Sequence, residues 1–471
     1  MRTKGGFPVD KIQEMGEAPL GRLLLKFSIP AIAMMVVNGL YNFIDRVFIG
    51  QGMGTDALAA VTAGFPMMII AMAVGSLFSV GTSTLVSIAM GKGDRGRARS
   101  VLGQGFAASL VSSILVTIVG WIFMEPLLRA FGTTAAIMPM AREYLGVIML
   151  GFAFQVPAMA VSGSLRAQNR PNQAMLATVS GTVLNAILAP LFIFAFHWGV
   201  GGAAWATVIA QALAASLTFA FIQRRDSTLR IEAHWLAPRA ATMAEMLKLG
   251  LPIALVQALS LVMLVVANNS MSRLGGAEAL AVIGIVNALS QLCIFPLMGI
   301  MQGAQALWGY NYGAGRLDRV KGLLGLALGW TTGLGIVITV AVEIFTRQLV
   351  SAFNPHDPTL IALGTRGIAV FMITFFTAGL QFTASMYFMA VGKAREGGLI
   401  FLARNILGIA GMGLMPLAMG IDGVYWSGPA VDILVTGLAL VFLLAESRRL
   451  AAGSPLKSGA QASLAAQAAI L

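Results

Sequence analysis

Asp45 is a carboxylate inside an apolar stretch long enough to cross a bilayer, LLLKFSIPAIAMMVVNGLYNFIDRVFIG over residues 23–50. A charge at membrane depth is costly and persists where something pairs with it or uses it. The chemistry open to such a group is to take up and release a cation, so Asp45 reads as the coupling site of a transporter. The alternative is an interfacial acid beside Arg46. Asn38, Asn42 and Asp45 are spaced four and three apart and form one polar stripe on a helix. Asn185 and Ala189 share a helix face, as do Thr207 and Gln211. On residue type alone, Asn185 and Thr207 fit ordinary interhelical hydrogen bonds as well as a site. Asn268, Asn269, Gln302, Gln305 and Asn311 supply polar groups in the second half, either as cavity lining or as helix-packing contacts. Asp432, in GPAVDILV, is a second acid in an apolar segment; the preferred reading pairs it structurally with Arg404 on the neighbouring segment.

Other chemistries find little support. One cysteine, Cys293, cannot form an internal disulfide or a thiol metal cluster, and His197, His234 and His356 lie at segment ends or in loops. The glycines of GKGDRGR and GAGR lack the strand context and the GKS/GKT ending of a phosphate cradle. No firm metal site, no cofactor and no enzyme activity are expected.

The elements that must position these groups are membrane helices. Hydrophobic residues make up 58% of the chain and charged residues 11%, with a mean hydropathy of +0.83. Twelve spans are predicted, near 23–50, 57–90, 99–124, 138–165, 174–197, 201–222, 246–271, 279–311, 322–344, 362–391, 397–419 and 423–445. Kinks are expected at the prolines within them, such as Pro30, Pro66 and Pro157. The net charge of +12 follows the positive-inside rule rather than signalling nucleic acid. With both termini cytoplasmic, the outer loops carry only Arg129, Arg142, Arg273, Arg347 and Arg366. The chain divides into an N-terminal segment 1–22, a six-helix lobe 23–222, a linker 223–245, a second lobe 246–445 and a mobile tail 446–471.

The two lobes are repeats. A shift of 222 residues places Pro30 on Pro252, Gly81 on Gly303, Gly91 on Gly313, Gly93 on Gly315 and Arg97 on Arg319. At a shift of 221, Gly202 and Trp205 fall on Gly423 and Trp426. Each repeat has an even number of spans, so the repeats are parallel and related by an axis along the membrane normal. Asp45 falls on Ala267, so the acid belongs to the first lobe alone.

Three stretches carry a family resemblance: SIPAIAMMVVNGLYNFIDRVFIGQGMGTDALAAV, LRAQNRPNQAML and MGIMQGAQALWGYNYGAGR. Their order and spacing over about residues 20–445, with the repeat, resemble the MATE (multidrug and toxic compound extrusion) family, nearest its MepA-like and DinF-like members. The resemblance implies an all-α, V-shaped, bilobed twelve-helix antiporter in the bacterial inner membrane. It would be a monomer that exports small cationic, amphipathic drug-like compounds and confers antibiotic resistance, driven by protons or sodium. It also implies cation coupling by Asp45, Asn185 and Thr207, where a sodium ion could sit. Asn38, Asn42, Gln211, Asn268, Gln302, Gln305 and Asn311 would line the substrate cavity. The family's second acid, four residues after the asparagine, falls on Ala189; its loss favours proton coupling through Asp45. The alternative function is a lipid-linked precursor flippase of the same superfamily, which would need a cationic cavity.

Overall fold

The structure, a computed structural model, describes residues 9–130, 133–351 and 358–451, except for the side chains of residues 9–11, 40–55, 58, 275, 277–278, 280–281, 358–360 and 451. The described chain forms helices α1 Val9–Glu17, α2 Leu20–Gly91, α3 Arg95–Ile122, α4 Met124–Ala130, α5 Met138–Ala167, α6 Pro171–Pro190, α7 Gly199–Gln223, α8 Ala240–Gly313, α9 Leu317–Ser351, α10 Pro358–Met372, α11 Phe375–Ala390, α12 Ala394–Met419 and α13 Ile421–Ala451. No strand occurs among the described residues. A π-helical turn, Leu191–Ala195, follows α6, and a 3-10 turn, Ala233–Trp235, precedes α8.

Among the described residues eleven helical stretches are long and apolar enough to cross a membrane, and a twelfth span is broken, with Ile361–Met372 and Phe375–Ala390 meeting at 41°. The expected twelve-helix, all-α fold is present. The bend in the tenth span, at a position without proline, was not expected. Beside it the Thr374 hydroxyl donates to Asp432 Oδ2 on α13 at 2.8 Å, and Thr377 N–H bonds the Thr374 carbonyl.

α2 has 72 residues and α8 has 74. A straight helix of that length would run for about 100 Å. Yet both ends of α2, Leu23 and Phe27 at one and Val86 and Met90 at the other, pack in one core with Tyr310, and a Cβ on Gly91 would fall 2.0 Å from the Tyr310 carbonyl oxygen. The run therefore doubles back, and it holds the spans Leu20–Gly39 and Ala59–Gly91. α8 behaves alike, with spans Ala240–Leu274 and Val282–Gly313 and a positive φ of 62° at Gly276 between them.

Three apolar cores show how the repeats meet. One draws on both: Met15, Phe27, Val86 and Met90 pack with Leu307, Trp308 and Tyr387. A second uses the first half alone, including Ala60, Met67, Tyr144, Phe152 and Ala204. A third uses the second half alone, including Met271, Val286, Leu297, Met372 and Tyr425. The halves are thus joined at the end that carries α1, and each closes on its own core at the other end. Small residues let the helices approach there, as packing in lipid favours. A Cβ on Gly313 would lie 2.1 Å from the carbonyl oxygen of Ile88, and Ile88 is the repeat counterpart of Tyr310.

Polar contacts reinforce the joined end. Arg97 donates to Thr242 at 3.0 Å and to Glu245 at 2.8 Å, across the halves. α1 straddles them. Glu14 accepts from Lys26 at 2.7 Å and from Asn169 at 2.9 Å, while Asn311 donates to the Met15 carbonyl at 3.1 Å and Arg319 to the Ala18 carbonyl at 2.6 Å. The segment between α7 and α8 is held as well. Gln168 Oε1 accepts from the Ser227 and Thr228 hydroxyls and two backbone N–H groups, and Gln104 Oε1 accepts from Arg239 N–H.

Candidate functional site

Asp45 and Asn42 lie in the helical run of α2, and their side chains are outside the described residues. Asn38, one turn earlier, is exposed. On α6 and α7 the expected pair does meet. Asn185 Nδ2 donates to Thr207 Oγ1 at 3.0 Å, and the Thr207 hydroxyl donates to the Ala203 carbonyl at 3.1 Å. Both side chains are buried. Asn185 Oδ1 is buried without a hydrogen-bond partner among the described residues, and so is Gln211 Oε1, one turn beyond Thr207. Orphaned buried oxygens carry a desolvation cost that a cation or a proton donor would relieve. Ala189 is 1% exposed and packs with Phe192 and Ala206, so Asn185 has no carboxylate one turn further along its helix.

The polar residues of α8 divide. Asn268 and Gln302 are partly exposed, and Gln302 Nε2 reaches Met35 Sδ at 3.9 Å. Gln305 is buried and donates to the Ser83 and Thr84 hydroxyls at 3.1 and 3.3 Å, which ties α8 to α2. Asn311 is fully buried, donating to the carbonyls of Met15 and Leu307 and accepting from Arg319. In this structure Gln305 and Asn311 are packing residues of the joined end, because their amides satisfy backbone and hydroxyl groups where the helices cross.

In the second half Asp432 and Arg404 form the ion pair that the sequence suggested. The pair is one part of a network. Gln381 on α11 accepts from Arg404 Nη1 at 2.6 Å, and its amide nitrogen donates to the Asp432 carbonyl at 3.0 Å and to the Thr436 hydroxyl at 3.0 Å. Gln381 and Thr374 were not singled out from sequence. The repeat held a signal for this site: at the shift of 221 set by the two tryptophans, Asp432 falls on Gln211. A second buried ion pair, Lys393 with Glu446, was also missed; Tyr387 donates to Glu446 Oε1 at 3.1 Å.

Two parallel six-span repeats, joined at one end and separate at the other, with polar groups buried inside each, define the class of two-lobed membrane transporters. The family model MatE matches residues 30–191 and 252–412, and the chain belongs to the MATE family. Multidrug export protein MepA of Staphylococcus haemolyticus (strain JCSC1435) is 24% identical over 434 residues, covering 92% of this chain and 95% of that protein. The protein of the same description from Staphylococcus aureus (strain MRSA252) is 23% identical over 432 residues, covering 91% and 95%. A solved multidrug resistance MATE family transporter in an outward-facing conformation superposes with a TM-score of 0.87 at 22% identity, over 97% of this chain and 100% of its own. A MATE crystal structure in the bent conformation gives 0.86 at 23% identity, over 96% and 99%.

Proposed function

We propose that this protein is a multidrug exporter of the bacterial cytoplasmic membrane, expelling cationic amphipathic compounds in exchange for protons. The observation that carries the reading is the joining of the repeats at one end only. A scaffold whose halves share one core and keep two others separate can rock about the joined end and expose a central cavity to either side in turn. The lysine and arginine bias assigns the joined end to the cytoplasm, so the cavity opens outward in this conformation. The chain works as a monomer with both termini inside, and its lobes are 23–222 and 246–445. The curated relatives are named multidrug export proteins, which supports export of drugs.

Asp45 takes the coupling proton, and Asn185 and Thr207 shape the same interior. Protonation removes a charge from membrane depth and lowers the cost of closing the first lobe around it. The ion and the drug then bias two conformations in opposite directions. Sodium is disfavoured because the position four residues after Asn185 is Ala189, and sodium sites need a fuller set of oxygens with charge. Purified protein in lipid vesicles, given a pH gradient or a sodium gradient separately, tests this. Export of a cationic dye driven by the pH gradient is expected. A response to sodium alone would overturn proton coupling, and a response to neither would overturn antiport.

A further inference from the structure

The guanidinium of Arg404 has a free edge at membrane depth. Arg404 lies ten residues into α12, about 15 Å along it, close to the middle of a hydrocarbon core roughly 30 Å thick. One nitrogen, Nη1, makes both of its hydrogen bonds to described residues, to Gln381 Oε1 and Asp432 Oδ1. Nε and Nη2 donate to no described residue. The side chain is 28% exposed.

That exposure is not toward lipid. The outward stripe of α12 is Leu399, Ile406, Leu414 and Leu417, with Leu417 83% exposed. Arg404 stands on the opposite side, in register with the buried Gly397, Phe401 and Gly408. Its Cζ sits 5.3 Å from the ring centroid of Phe382 on α11. Exposed donors on an inward face must look into a space inside the second lobe that admits water or a ligand.

The acid beside it does not cancel this positive edge. Asp432 is 5% exposed, and both its oxygens are engaged: Oδ1 by Arg404 and Gln381, Oδ2 by Thr374 at 2.8 Å. The pair is a dipole with its negative end buried in hydrogen bonds and its positive end facing the space. Among the described residues no other charged side chain bonds to this network. The repeat counterpart of Asp432 is the neutral Gln211, so the feature belongs to the second lobe alone.

We propose that Arg404 is an anion-binding residue of the second lobe, and that it receives the carboxylate of amphipathic substrates that carry one. A planar guanidinium with Nε and Nη2 free offers two parallel donors, which match a carboxylate bidentately. Phe382 holds the guanidinium plane and gives an apolar wall for the rest of the ligand. Zwitterionic organic compounds are therefore substrates, and the acid group is read separately from the cationic group. The inference rests on the reading of the chain as an exporter of organic compounds.

The test uses two probes that differ only in the acid: rhodamine B, which carries a free carboxylate, and its ethyl ester. Binding of each to the purified full-length protein is followed by fluorescence polarisation. Arg404→Gln should weaken rhodamine B by at least about tenfold, the loss of a bidentate charge-assisted contact, and leave the ester unchanged. Arg404→Lys should recover part of the loss. Equal changes for both probes, or no change for either, overturn the proposal. Should Arg404→Gln fail to fold, the double variant Arg404→Gln with Asp432→Asn, which removes both charges together, is held to the same criterion. Wild-type protein that binds the ester but not rhodamine B also overturns it and leaves the exporter reading standing. Wild-type protein that binds and moves neither dye sinks both.

Discussion

A Cβ on Gly91 would lie 2.0 Å from the carbonyl oxygen of Tyr310. The repeat reproduces this contact as Gly313 against Ile88, at 2.1 Å. The two contacts exchange under the pseudo-twofold, so the seam between the lobes is built twice from one pattern. Neither close approach can be relieved by a side-chain rotation, because the opposing atoms are backbone.

Gly91→Ala and Gly313→Ala should therefore act alike. Each forces the seam apart at a cost of about 1–3 kcal/mol, as overpacking does. Distances between spin labels at the α1 end, measured in a Cys293→Ser background, should lengthen in both variants by similar amounts. A change in one variant only would show that the seam is not symmetric in energy.

Ala189→Asp places a carboxylate one turn from Asn185, in the pocket lined by Phe192 and Ala206. With an added charged oxygen near Asn185 Oδ1, sodium should begin to stimulate dye export, while the unsubstituted protein stays indifferent to it. Transport in vesicles with and without a sodium gradient decides this. Unchanged sodium response in a folded variant would show that Ala189 is not what selects the ion.

Glu446 is 2% exposed and paired with Lys393. Glu446→Ala leaves the Lys393 ammonium buried and alone, a loss of roughly 3–5 kcal/mol by analogy with other broken buried pairs. Replacing both partners with apolar residues should cost less than that single change. Thermal unfolding of the detergent-solubilised protein, followed by tryptophan fluorescence, measures the difference.

α1 should be a pH-dependent strap. The hydrogen bond from Lys26 holds the Glu14 carboxyl below its ordinary value of 4.5 despite the opposing effect of burial. A lowered carboxylate value means that the contribution is complete above about pH 5 and is lost as the pH falls through the folded-state value. A spin label at Gln13 should be immobile at neutral pH and gain mobility only as the pH falls below the ordinary carboxylate value. Glu14→Gln should weaken the strap and flatten this profile.

Much of the architecture was legible in the sequence because membrane helices are written in composition. Long apolar runs, the charge bias of the loops and the 222-residue shift predict the twelve spans. The bend beside Thr374 was not legible, since no proline marks it and its polar partner Asp432 lies 58 residues away. The site was legible in part. The Asn185–Thr207 bond and the Asp432–Arg404 pair could be anticipated, because polar groups in apolar helices have few partners to choose from. Gln305 and Asn311 look like cavity residues on a helical wheel, but the crossing of α2 and α8 and the docking of α1 bury them. That burial depends on long-range packing, which residue spacing does not encode.

The separation of the three cores has an evolutionary consequence. The close approaches of Gly91 and Gly313 lie beside the core that both halves share, whereas Asn185 stands by Ala189, Phe192 and Ala206 within the first half. A substitution at Ala189 or Asn185 therefore leaves the shared seam untouched. The copies can therefore carry different charged groups, Asp45 in one and the Arg404–Asp432 pair in the other, because the seam imposes sameness only where they touch.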